Sequence, residues 1–310
     1  MTDATASAGA LVLAFVADLA FGEPPGAVHP VAWMGSAIAR GRDWALSGTR
    51  ARQFARGAAV TISVCGISAA VSYGIVRPLA RWPAADLLVT ALALKPLFAA
   101  RALRDAAFVV RDALDRGELA QARRGLSSLC SRDATALAPP ALTAATVESL
   151  AENASDSIVA PLFFYGVFGL PGAAFYRAAN TLDAVIGYRG RFERVGKFAA
   201  RLDDVLNLIP ARLTAGLLLC AGLGRGSVQR GASVLRRDGA RTESPNAGRP
   251  MATMAGLLGV ELAKDGAYRL GDALRPIETR DITEAWRLVL RASVGALLLT
   301  VAVRLAPGWP

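Results

Sequence analysis

Apolar and polar positions alternate along this chain in long blocks rather than residue by residue. Residues 8–21 (AGALVLAFVADLAF) form an apolar run, and the proline pair of FGEPP stops it, which predicts an N-terminal membrane or core helix. Residues 57–76 carry no charge over about twenty positions, the length needed to cross a hydrocarbon layer of about 30 Å. The run 84–100 is long enough to return across it, although Asp86 and Lys95 interrupt it. Further apolar segments fall at 154–175, 205–223 and 288–305. The segment 154–175 contains Pro161, Gly166, Gly169 and Pro171, so it is the candidate for a re-entrant hairpin that does not cross. Between these blocks, Leu103, Ala107, Val110 and Leu114 recur at helical spacing within a charged stretch, 101–133, which predicts a solvated helical hairpin. The expected fold is all-α: a polytopic integral membrane protein of about three to five spans with amphipathic cytoplasmic helices, forming one membrane-embedded domain over 1–310.

Composition supports this picture. Hydrophobic residues make up 53% of the 310 positions and charged residues 19%, against about 25% charged in an average soluble domain. Mean hydropathy is +0.37. The formal net charge is +10, and Arg supplies nearly all of the positive charge, since only Lys95, Lys197 and Lys264 are lysines. The basic clusters flank apolar spans, as in Arg40, Arg42, Arg50, Arg52 and Arg56 before the 57–76 run. That is the pattern of cytoplasmic loops, not of a nucleic-acid surface. Cys65, Cys130 and Cys220 are an odd set with wide spacing, so neither a disulfide framework nor a zinc site is indicated.

The chemistry-bearing residues concentrate in a few places. Glu148, Glu152 and Asp156 lie at i, i+4 and i+8, which places them on one helix face, with Asn153 beside them. Three acids on a face repel unless Mg²⁺ or basic side chains compensate them. Farther on come Asn180, Asp183, Asp203, Asp204 and Asn207, amid Arg177, Arg189, Arg191, Arg194, Lys197 and Arg201, with Arg212 following. Acids for a metal and bases for phosphate suit ATP-Mg²⁺ chemistry. No GxxxxGK[ST] loop is present, so a nucleotide site here is not a P-loop. Glu23 and His29, the only histidine, fall in a proline-rich turn, and Asn246 lies in the turn SPNAG.

Several segments together resemble the CobD/CbiB family of cobalamin biosynthesis, the adenosylcobinamide-phosphate synthases. They are DLAFGEPPGAVHPVAWMG, VESLAENASDSIVAPLF, GLPGAAFYRAANTLDAVIGYR, ARLDDVLNLIPARL and SPNAGRPMATMAGLLGV, spread in that order over nearly the whole chain. The resemblance implies a multi-pass enzyme of the cell inner membrane with its active site facing the cytoplasm. It would join aminopropanol phosphate, or a related amino alcohol, to the propionate carboxylate of adenosylcobyric acid, with ATP and Mg²⁺ as cofactors. Under that reading Glu152 and Asp156, with His29 or Glu23 as proton acceptor, are the catalytic candidates. Glu148, Glu152, Asp156, Asp183, Asp203 and Asp204 are candidates for Mg²⁺. Arg177, Lys197, Arg201 and Arg212 are candidates for phosphates, and Asn153, Asn180, Asn207 and Asn246 for substrate amides. The implied partners are the corrinoid, the amine, the lipid bilayer and either a second copy or other cobalamin-assembly enzymes. A transporter or a non-catalytic membrane regulator of the same fold are the competing readings.

Overall fold

The computed structural model describes residues 3–188, 190–224 and 227–307, so Arg189 of the basic band lies outside the described residues. Among the described residues, the regular elements are helical apart from one two-stranded hairpin. Its helices are α1 (Asp3–Phe21), α2 (Pro30–Ala45), α3 (Arg50–Val76), α4 (Pro83–Leu94), α5 (Ala100–Asp115), α6 (Leu119–Leu126), α7 (Pro139–Ala154), α8 (Ala160–Ile186), α9 (Glu193–Leu206), α10 (Leu208–Ala221), α11 (Val228–Asp238), α12 (Gly248–Leu258) and α13 (Arg280–Leu305). Among the described residues, five helical stretches are long and apolar enough to cross a membrane: Ala4–Phe21, Arg50–Leu79, Pro83–Asp115, Pro139–Ile186 and Arg280–Leu305. The pair α9 and α10 makes a sixth if it counts as one broken span. The protein is therefore the all-α, multi-span molecule that its hydropathy pattern predicts.

Two compact units make up the chain, each assembled from separated stretches. The first comprises Met1–Ala99, Ala160–Asn207 and Leu297–Pro310. Here α3 packs on α8 and α9, and α1 packs on α4. Ile38, Val60, Cys65, Leu182, Ile186 and Val195 are buried at its centre. Two glycines allow the closest approaches. A Cβ at Gly57 would lie 2.0 Å from the Val195 carbonyl oxygen, and one at Gly196 would lie 1.7 Å from that of Ile186.

The apolar run that carries Pro161 and Pro171 folds back on itself inside this unit. Gly169 has φ 66° and ψ −160°, a conformation open in practice only to glycine. The rings of Phe164 and Tyr176 stack with centroids 5.0 Å apart. Twelve residues along an uninterrupted α-helix would separate them by about 18 Å, so the chain reverses at Gly169. The hairpin expected from the proline and glycine positions is present as a reversal within α8.

The second unit comprises Ala100–Val159 and Leu208–Ala296. Helices α5 and α6 form the amphipathic hairpin expected for 101–133, turning at Gly117 with φ 73°. Leu103, Ala107 and Val110 are buried as the spacing requires. One element escaped the sequence reading: β1 (Glu261–Lys264) pairs antiparallel with β2 (Tyr268–Gly271). Its connection, Asp265-Gly266-Ala267, places Gly266 at φ 72°, the turn chemistry of a three-residue hairpin loop. Buried Asp238, at the end of α11, fastens β2 by accepting a hydrogen bond from the Gly271 amide at 2.9 Å. It also pairs with Arg237 at 2.8 Å and Arg241 at 3.0 Å. The bonds from Arg237, and then the Gly271 amide, hold its carboxyl below the usual carboxylate range.

A group depressed in the folded state adds stability above its unfolded pKa and loses it as pH falls through the folded one. Asp238→Asn is therefore expected to cost about 2 kcal/mol at neutral pH. That gap should close only well into acid, below about pH 4. Thermal unfolding of wild type and variant across pH 3–8 checks both statements.

Candidate functional site

In the first unit the hairpin of α8 and the glycine-tight crossing of α9 build a polar cluster. Asp203 on α9 is buried, and both of its oxygens are engaged. Oδ1 accepts from Asn180 Nδ2 at 3.3 Å, and Oδ2 accepts from Asn207 Nδ2 at 3.0 Å. The Tyr176 hydroxyl donates to Asn207 Oδ1 at 2.9 Å, which fixes the orientation of that amide. Asp183 and Asp204 flank the buried carboxylate within electrostatic range and are only half-buried. Gly187 leaves room for Asp183, since a Cβ there would lie 2.1 Å from Asp183 Oδ1. The arrangement is one locked carboxylate, two half-buried carboxylates and two oriented amides. Arg201 is exposed and reaches Asp204 only at 3.9 Å, Lys197 is exposed, and Arg177 is half-buried on α8. Gly196→Ala is expected to cost about 1–3 kcal/mol by forcing α9 away from α8. Thermal unfolding of wild type and variant checks this.

A second polar group in this unit gathers around the proline-rich turn. Gly22, at φ 69°, ends α1, and its amide bonds the Asp18 carbonyl at 2.9 Å. His29 caps α2, with Nδ1 accepting from the Val31 amide at 3.2 Å and Pro30 following at the first helical position. His29 Nε2 bonds Glu23 Oε2 at 2.8 Å. Lys95 reaches the same Glu23 oxygen at 3.3 Å and Asp18 at 3.7 Å. The stacked pair Phe15 and Phe98, 6.0 Å apart, brings Lys95 to this corner. In the sequence Lys95 is marked only as an interruption of an apolar run. A lone lysine in such a run needs a counter-charge, and that was the available signal.

The remaining candidates lie in the second unit. Glu148 and Glu152 share α7, but Asp156 falls in a π-helical turn, Ser155–Val159. That turn widens the helical register, so the i, i+4, i+8 face does not extend regularly to Asp156. Asn153 uses its amide locally, donating to the Ser149 carbonyl at 3.0 Å and accepting from Ser157 at 3.0 Å. Glu148 is compensated by a basic side chain: Arg132 lies 2.6 Å from Oε2, and the Tyr268 hydroxyl donates to the same oxygen at 3.3 Å. Burial and the Glu148 charge push the Tyr268 phenol up from its ordinary value. Arg212 donates to the Leu208 carbonyl at 2.7 Å and to Asn246 Oδ1 at 3.3 Å.

Among the described residues, no group of three or more His, Cys, Asp or Glu is arranged to hold a metal ion. The six acids nominated for Mg²⁺ therefore do not form a preassembled cage within either unit. Asp183 and Asp204 still fit the ion chemically. Mg²⁺ takes hard oxygen ligands and commonly uses one or two carboxylates together with substrate phosphates.

The family described as CobD/Cbib protein matches residues 11–289. The chain belongs to the CobD/CbiB family. A member from Dehalococcoides mccartyi, named cobalamin biosynthesis protein CobD, is 42% identical over 294 residues, covering 94% of this chain and 96% of its own. One from Methanothermobacter thermautotrophicus, named probable cobalamin biosynthesis protein CobD, is 39% identical and covers 94% and 95%. One from Klebsiella pneumoniae, again named cobalamin biosynthesis protein CobD, is 36% identical over 94% and 96%. No solved structure matches the chain. The CobD/CbiB match spans the segments that carry both polar groups of the first unit and the α7 acids of the second.

Proposed function

We propose that this chain acts in cobalamin biosynthesis as a membrane-embedded, ATP-dependent amide synthase. It would join aminopropanol phosphate, or a related amino alcohol, to the propionate carboxylate of adenosylcobyric acid, giving adenosylcobinamide phosphate at the cytoplasmic face of the inner membrane. Family membership supports the pathway. The observation that carries the chemistry is the cluster in which Asn180 and Asn207 lock buried Asp203 between half-buried Asp183 and Asp204.

A carboxylate is a poor electrophile. The substrate oxygen attacks the γ-phosphorus of ATP, ADP leaves, and an acyl phosphate forms. The amine then attacks the acyl carbon, phosphate leaves with the former carboxylate oxygen, and a proton passes to the protein. Asp183 and Asp204 would hold Mg²⁺, which supplies charge neutralisation for the phosphoryl group. Asp203 keeps its amides aimed, and Arg177, Lys197 and Arg201 meet phosphate oxygens. Glu23, rather than His29, receives the proton, because both imidazole nitrogens are already bonded.

Adenosylcobyric acid labelled with ¹⁸O in the reacting carboxylate tests this reading. One label per turnover is expected in released inorganic phosphate. Amide product with unlabelled phosphate would overturn the acyl-phosphate route, and no amide product at all would overturn the proposed activity.

A further inference from the structure

The corner around Glu23 holds four ionisable side chains from two separate chain segments: Asp18, Glu23 and His29 from one stretch, and Lys95. Asp18 is fully buried and the side chains of Lys95 and His29 are 12% and 15% exposed. The geometry fixes the imidazole tautomer. Nδ1 accepts from the Val31 amide, so Nε2 carries the proton and donates it to Glu23. Glu23 Oε2 receives both His29 and Lys95. Glu23 Oε1 is buried, and among the described residues no donor reaches it. Buried carboxylate oxygens without a donor are costly and rare in native proteins. The unmet Glu23 oxygen, with Asp18 Oδ1 standing 3.7 Å from Lys95 Nζ and not hydrogen-bonded to it, describes a site for a cation that can donate a hydrogen bond.

We infer that Asp18, Glu23, His29 and Lys95 form a subsite for a primary ammonium group, received by Glu23 Oε1. This assignment rests on the amide-forming reading above and names the place where the amino alcohol is held. Glu23 is the residue that touches the ligand. His29 and Lys95 are positioning residues: they occupy Oε2 and so turn Oε1 toward the amine. Lys95 is shared between the two carboxylates, 3.3 Å from Glu23 and 3.7 Å from Asp18, so one cation faces two acids. The same contact gives the ammonium proton an acceptor when the nitrogen becomes a nucleophile.

The test is calorimetric titration of the full-length protein in lipid nanodiscs, without ATP or corrinoid. The probes are aminopropanol phosphate and its deaminated analogue, propanol phosphate. Wild type is expected to favour the amine, and Glu23→Gln to weaken the amine about tenfold or more while leaving the analogue unchanged. Glu23→Asp should restore part of the discrimination and serves where the Gln variant fails to fold. Equal affinity of wild type and Glu23→Gln for the amine, or equal weakening of both probes, would overturn the subsite. Amine discrimination in a chain that forms no amide would leave the subsite standing and remove the proposed activity. Amide formation with unaltered amine binding in Glu23→Gln would do the reverse.

Discussion

Replacing Asp183 by Asn is expected to lower the rate of amide formation by about 100-fold or more, with the unfolding temperature little changed. On the proposed reading, Asp183 is one of two half-buried carboxylates that meet Mg²⁺ and the transferring phosphoryl group. Its oxygen stands over Gly187, where a side chain would collide with it. Asparagine keeps the size and removes the charge, so the loss reports electrostatics rather than packing. The variant should also need more Mg²⁺ for half-maximal rate. Asp204→Asn should behave similarly, and the double variant should lose less than the sum, because the two groups serve one ion. A steady-state assay across Mg²⁺ concentrations checks this, and an unchanged rate with unchanged Mg²⁺ dependence would remove the metal role.

Replacing Arg132 by Met should produce the largest loss of stability. Arg132 and Glu148 are 13% and 5% exposed and lie 2.6 Å apart. Their pairing ties the segment before α7 to α7, and Tyr268 joins it from β2. Removing the guanidinium strands a buried carboxylate, which costs about 3–5 kcal/mol and lowers the unfolding temperature by on the order of 10 °C. Arg132→Met with Glu148→Leu should recover most of that loss, because no charge is left behind. Unfolding curves for the two single variants and the double variant measure the coupling. If Glu148 instead served as a metal ligand with Arg132 incidental, Arg132→Met would leave stability near wild type.

The sequence exposed those features that depend on local spacing. Apolar block lengths revealed the spans, the three- and four-residue spacing of Leu103, Ala107 and Val110 revealed the α5–α6 hairpin, and Gly169 with Pro171 marked the reversal in α8. Asn180, Asp183, Asp203 and Asn207 were recognisable because their motifs set them at helical spacing near the reversal. What depends on long-range partners was hidden. Lys95 meets Asp18 and Glu23 across more than seventy residues, and Tyr268 meets Glu148 across 120. Nothing near Glu148 in sequence marks Arg132 as its compensator. The π-turn at Ser155–Val159 breaks a face that perfect helical periodicity would have continued. The β-hairpin had a local signal, Asp265-Gly266 between paired segments, but the surrounding helices outweighed it.

Reconstitution tests the central claim most directly. The purified chain in lipid nanodiscs is given adenosylcobyric acid, aminopropanol phosphate and ATP-Mg²⁺, and the products are weighed by mass spectrometry. The account predicts a corrinoid whose mass equals the two substrates joined with loss of one water, formed one-for-one with ADP and formed about 100-fold or more slowly by the Asp183→Asn variant. Folded protein that yields no such amide, or yields it without consuming ATP, would contradict it.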